Sequence, residues 1–179
     1  MIVEVNGRRA AFRTDEPTAV FTGAHVAHRV SPGSATHGPD GELRAVVEIL
    51  RPFGGTMARA LLGAAFSPRP AGSATIYEVR SGTALELGSA AACASRLGGP
   101  LVAGLPVDFA DAVLDGLTEN AADAPLPSGV LRVDRAAFDE LYSSELSFRL
   151  VAALLHRAVR ALLYGTSPAE ALRTTLNAW

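Results

Sequence analysis

Polar and apolar residues alternate from Ile2 to Phe12 around Asn6-Gly7, a pair that suits the two positive-φ positions of a tight turn. The chain therefore predicts a small hairpin there. Residues 18–30, "TAVFTGAHVAHRV", read as extended, and residues 31–41, "SPGSATHGPDG", hold three Gly and two Pro and read as a loop. "ELRAVVEIL" (42–50) reads as a strand with a buried centre, stopped by Pro52. In "GGTMARALLGAAF" (54–66) Met57, Leu61, Leu62, Ala65 and Phe66 recur at helical spacing, which predicts a helix over 56–66 with Thr56 as its N-cap. "SATIYEVR" and "TALELG" predict a second hairpin joined by Ser81-Gly82, and the alanine-rich stretch 89–97 predicts a short helix closed by Gly98-Gly99.

The second half carries clearer helical signals. Over 107–118, Phe109, Val113, Leu114 and Leu117 form one face; Asp108, Asp111, Asp115 and Glu119 form another, read as a solvated acidic face. Pro106 stands at its start, where a missing N–H costs nothing. Residues 120–128 read as a loop and "GVLRVD" (129–134) as a strand. A long helix then begins at Ser143 or Ser144 and ends at Gly165. Leu146, Leu150, Val151, Leu154, Leu155, Val159 and Leu162 give it a broad apolar face, with Arg149, His156, Arg157 and Arg160 opposite. Ser167 to Glu170, "SPAE", is a capping box that starts a last helix toward Trp179.

Length adds one expectation: 179 residues fit a single domain, 1–179, with a real core. The formal net charge of −2 argues against a dedicated nucleic-acid binder while leaving room for a local basic patch. All sixteen basic residues are arginine, which GC-rich coding explains more simply than selection for phosphate binding. No stretch is apolar enough to span a membrane, and "MIVEVNGRRAAF" lacks the apolar run of a signal peptide, so the expectation is a cytoplasmic protein with no membrane partner. A single cysteine, Cys93, can form no internal disulfide.

Candidate chemistry is sparse. His25 and His28 would share a face on a helix, but in an extended segment positions three apart point to opposite sides, which disfavours a metal site. His37 reads as a solvated loop residue and His156 as a surface residue. Cys93, with no local base, reads as a small buried hydrophobe. Gly54-Gly55 lacks the P-loop lysine and reads as a turn, and no serine sits in a nucleophile elbow. The expectation is a protein that is not an enzyme and needs no cofactor or metal; a weaker alternative is an unrecognised active site around His25 and Cys93.

Two stretches carry a resemblance. "GLPVDFADAVLDGL" (104–117), with Gly104, Pro106, Phe109, Ala112-Val113 and Gly116, followed by "GVLRVDRAAFDELYSSELSFRLVAALLHRAV" (129–159), resembles domain IV of the elongation factor G family. Ser143-Ser144-Glu145-Leu146-Ser147-Phe148 matches the family's opening of its final helix. The resemblance implies an α/β fold of the α+β two-layer sandwich type: a four-stranded or larger sheet, helices 107–118 and 144–164 together on one face, and a left-handed βαβ crossover. It implies a domain IV-like core over 17–164 with 165–179 as a helical tail. It further implies two loop tips, 34–41 and 135–142, offering His37, Asp40, Arg135, Phe138 and Asp139 to a partner.

The family presents a glycine-rich basic loop and a histidine at these tips; this chain has Asp40 in the first and Phe138 and Asp139 in the second. With no GTP-binding motif, no GTPase activity is expected. Two readings stand. One is a non-catalytic domain that docks on the ribosome or structured RNA. The other is a protein-interaction or self-association module that keeps the scaffold and has lost the ribosome-facing chemistry.

Overall fold

The protein is described by a computed structural model covering residues 1–34, 41–83, 91–119 and 121–179. Asn6 and Gly7 take φ values of 50° and 76° and close β1 (Ile2–Val5) onto β2 (Arg8–Arg13), as the alternation predicts. Pro17–Ala19 forms a single 3-10 turn, and the extended segment begins only at β3 (His25–Pro32). β4 (Leu43–Phe53) runs through Pro52, which pairs with Met57 at the end of the strand and does not stop it.

The largest correction concerns 56–66. These residues are not a helix; they belong to β5 (Thr56–Pro68), the antiparallel partner of β4. Gly54 and Gly55, at φ of 55° and 84°, form the two-residue turn between the strands, and L side chains rarely adopt that conformation. Every residue from Ala58 to Phe66 is buried. A strand covered on both faces loses the polar–apolar alternation that marks strands, so its Leu and Ala positions imitate helical spacing.

Three further expectations fail. β6 (Ala74–Thr83) runs straight through Ser81-Gly82, so no turn forms there, and residues 84–90 lie outside the described residues. The predicted helix 89–97 is replaced by β7 (Ala92–Cys93), paired with β8 (Leu101–Leu105), and by a loop over 94–99. β9 (Gly129–Phe138) extends past Asp134 and takes in Arg135 to Phe138, which the sequence assigns to a loop.

Among the described residues the nine strands form one sheet, in the order β1-β2-β4-β5-β9-β6-β8-β7, with β3 on β6 and β8 also touching β9. All these pairings are antiparallel except β6–β9. α1 (Ala110–Thr118), entered through the 3-10 turn Val107–Phe109, lies between β6 and β9 in the chain. α2 (Glu145–Leu163) packs on β4 and β5, between α1 and α3 (Pro168–Ala178), which reaches β1 and β2. The fold is α+β, with a mostly antiparallel sheet and its helices gathered on one face.

Local chemistry explains the helix starts. Ser144 Oγ accepts from Ser147 N while Ser147 Oγ accepts from Ser144 N, satisfying two N–H groups that a helix start leaves open. Ser167 accepts from Glu170 N with Pro168 behind it. A Cβ on Gly116 would lie 2.1 Å from Arg149 O, so α1 and α2 can meet this closely only at a glycine.

His156 is corrected as well. It is 1% exposed, with Nε2 3.3 Å from Tyr77 Oη. Its position follows the apolar face through Ala152 and Val159; only its polar identity suggests the surface.

Candidate functional site

His37 and Asp40 lie outside the described residues. Arg135 belongs to β9: its Nε donates to Asp15 Oδ1 at 3.2 Å, and its Nη1 lies 3.1 Å from Asp134 Oδ2. Phe138 is 7% exposed and belongs to the main core, so it is a packing residue and not an apolar tip. Its β-ladder position pairs it with Ala60 and Val102.

Asp139 acts on its own loop. Its Oδ1 accepts from the backbone N–H groups of Leu141 and Tyr142 at 3.0 and 3.2 Å, and its Oδ2 accepts from Arg59 Nη1 at 2.8 Å. An Asp that caps its own turn in this way competes well with other backbone conformations. Ser143 Oγ accepts from Asp139 N and donates to Arg59 O, while Arg59 N donates to Tyr142 O. The turn between β9 and α2 is thus fastened to β5 by both side chain and backbone. What it holds outward is Leu141, 81% exposed, with Tyr142 and Glu140 beside it and Leu146 exposed on the first turn of α2.

Beneath that turn lies a network the sequence does not announce. Glu48, wholly buried in β4, accepts from Ser95 Oγ, from Arg96 N at 2.9 Å, from Leu97 N at 3.3 Å and from Arg13 Nη2 at 3.4 Å. Arg59 Nη2 donates to Ser95 Oγ at 2.9 Å and to Gly99 O, and stands 3.9 Å from Glu48 Oε1. Burial acts to raise the carboxyl of Glu16, but hydrogen bonds from Thr18 and the nearby Arg13, 2.6 Å away, hold it below the ordinary carboxylate range. Charges this deep persist only when paired and hydrogen-bonded. Together they staple the 94–99 loop onto the sheet face opposite the helices. That face also carries a second, smaller core of Ala19, Val46, Leu61, Cys93, Leu101, Ala103 and Ala137. The only sequence signal for the network was a Glu inside an apolar run, "VVEIL", and an Arg inside another, "MARALL".

Farther along the same face the charges balance. Arg44 pairs with Asp134 at 2.6 Å, and that hydrogen bond outweighs burial and raises the guanidinium pKa. Burial acts to raise the carboxyl of Glu78, yet Arg132 at 2.8 Å and Arg80 at 3.3 Å keep its pKa low. Arginines engaged in this way have little left to offer a phosphate backbone.

The remaining candidates do not converge. His25 and His28 stand exposed on β3, and among the described residues no group of three His, Cys, Asp or Glu could hold a metal ion. Cys93 is buried, as expected, though in a strand; burial raises its thiol pKa, so the reactive thiolate is disfavoured. Burial, with Arg157 and Arg160 nearby, lowers the pKa of His156 to about 4.

No family model matches the chain. No curated protein matches it either. A crystal structure of a protein from Thermus thermophilus aligns with 80% of this chain at 18% identity and a TM-score of 0.49, and the chain spans 18% of that protein's length.

Proposed function

We propose that this chain is a non-catalytic docking domain built on the scaffold of elongation factor G domain IV, and that it binds a protein surface through the turn between β9 and α2. The observation that carries the reading is Leu141, an 81% exposed leucine held outward by the Asp139–Arg59 fastening. A large apolar side chain on a preorganised turn binds without the ordering cost a floppy loop would incur. Glu140 and Glu145 flank it, so the complementary partner surface is apolar with a basic rim.

The scaffold part of the proposal rests on the parallel β6–β9 pair with α1 between them in the chain, and on the Ser144–Ser147 box that opens α2. That scaffold implies a left-handed crossover from β6 through α1 to β9, against the usual right-handed rule.

Association with the ribosome or structured RNA is the second reading, favoured by the arginines on the outer side of α2. Sedimentation with ribosomes across salt concentrations separates the two. Binding that survives high salt and is lost in Leu141→Ser supports protein docking through the turn. Binding that falls steeply with salt and ignores Leu141→Ser supports RNA contact instead, since phosphate contacts release counterions. Concentration-dependent sedimentation of the chain alone, abolished by Leu141→Ser, assigns the same surface to self-association.

A further inference from the structure

α2 and α3 enclose a cleft of about 430 Å³ on the outer side of the helical layer. Arg157 and Arg160 of α2 line one wall; Thr174, Thr175 and Trp179 line the other; Thr166 lies between the helices. The arginines differ from those on the opposite side of the sheet. Among the described residues neither is paired with a carboxylate; Glu119, which also lines the cleft, accepts from Arg149 Nε at 3.2 Å. Arg160 stacks on Tyr164, its guanidinium carbon 4.9 Å from the ring centroid, and its buried Nε has no hydrogen-bond partner. The uncompensated charge is felt nearby, since Arg157 and Arg160 both help to depress the His156 pKa after burial itself.

Two guanidinium groups without a carboxylate partner among the described residues, hydroxyls on the facing wall and an indole at the end form a concave site of small-molecule size. Arg51 lies over the Trp179 ring at 5.4 Å, so only the part of the indole that lines the cleft is open to a ligand. We propose that this cleft binds a nucleotide, its phosphate between Arg157 and Arg160 and its base against that part of Trp179. Arginine offers a planar fork that matches phosphate oxygens, and an aromatic face accepts any base by stacking. Thr174 offers a hydroxyl donor for the sugar, while Thr166 and Thr175, which donate to Ala161 O and Ala171 O, are left to accept. The same chemistry recognises a free mononucleotide or one residue of a single strand. The site lies apart from the β9–α2 turn and does not depend on the docking reading.

Trp179 is the sole tryptophan, so its emission reports directly on the cleft. The intact chain is titrated with adenosine monophosphate, with inorganic phosphate, and with a short uridine oligonucleotide, each at constant ionic strength; calorimetry follows the same titrations. The expected result is saturable binding of the mononucleotide with a change in Trp179 emission, competed by phosphate. Binding should weaken roughly tenfold or more in Arg157→Gln, as the loss of a charge-assisted hydrogen bond implies. Thr174→Val should weaken it less, and both variants should keep the thermal midpoint of the parent. A response to the oligonucleotide alone, still lost in Arg157→Gln, supports the site and assigns it to a strand. No saturable binding of any probe at millimolar concentration, or binding indifferent to both substitutions, overturns the proposal.

Discussion

β5 and α2 are built from nearly the same residues. "TMARALLGAAFSP" and "ELSFRLVAALLHRAVRALL" are both rich in Ala and Leu and both carry arginine, yet one is a central strand and the other a helix. Their starts decide the difference. α2 follows Ser144, whose side chain accepts from Ser147 N, whereas β5 follows Gly54-Gly55, whose positive φ values reverse the chain onto β4. Burial completes it. α2 keeps an exposed side, with Arg149 exposed and Arg157 half-buried, while β5 is covered by helices on one face and by the small second core on the other. Composition was common to both; the turn chemistry and the number of covered faces were not.

Arg59 of β5 and Arg157 of α2 give the sharpest contrast. Arg59 of β5 is buried and bonded to Asp139, Ser95 and Gly99. Arg59→Ala leaves Asp139 and Glu48 without that partner and should cost about 3–5 kcal/mol, read from the urea midpoint. The same variant should release the β9–α2 turn, seen as faster amide exchange at Leu141 and Tyr142.

Leu62 and Leu155 test whether the two segments meet in one core, since both are wholly buried beneath and within the helical layer. Either substitution to Ala should cost about 2–5 kcal/mol. A near-neutral Leu62→Ala would restore a peripheral helix for 56–66 and break the comparison.

His156 makes α2 sensitive to acid in a way β5 is not. Its pKa in the folded chain is about 4, below the ordinary value of 6.5, so the folded state refuses a proton that the unfolded state takes. Its contribution is complete above about pH 6.5 and is lost as pH falls toward 4, a loss on the order of 3 kcal/mol. Urea midpoints measured across that window should fall for the parent and lose this part of the slope in His156→Leu.

The two starts should respond to different chemistry. Gly54→Val places a branched side chain at φ 55° and should cost about 1–2 kcal/mol. Ser144→Ala removes the α2 cap and should cost about 1 kcal/mol. The smallest effect belongs to Arg157→Ala, within about 0.5 kcal/mol in thermal unfolding, because it lies on the outer side of α2 and among the described residues pairs with no carboxylate.

Where short-range chemistry suffices, the sequence is legible. Asn6-Gly7, the Ser144 and Ser167 caps, and the 107–118 helix with its acidic side all stand as the pattern predicts, because each depends on residues within one turn of each other. The candidate site was far less legible. Asp139 reads as a tip residue, but its role is not legible, since its partner Arg59 is eighty residues away in a stretch whose spacing predicts a helix. Phe138 reads equally well as tip or core until β9 is seen to continue through it.

By itself, then, the chain determined the Asn6-Gly7 and Gly54-Gly55 turns, the starts of the three helices and the apolar face of α2 apart from Leu146 and His156, all set by local sterics and hydrogen bonding. Tertiary structure alone decided that 56–68 is a strand, that Glu48 and Arg59 share a buried network, and that His156 faces inward. Those outcomes depend on which surfaces are covered, and coverage is set by partners distant in sequence. The same is true of the Arg157–Arg160 cleft, which exists only because α3 folds back beside α2.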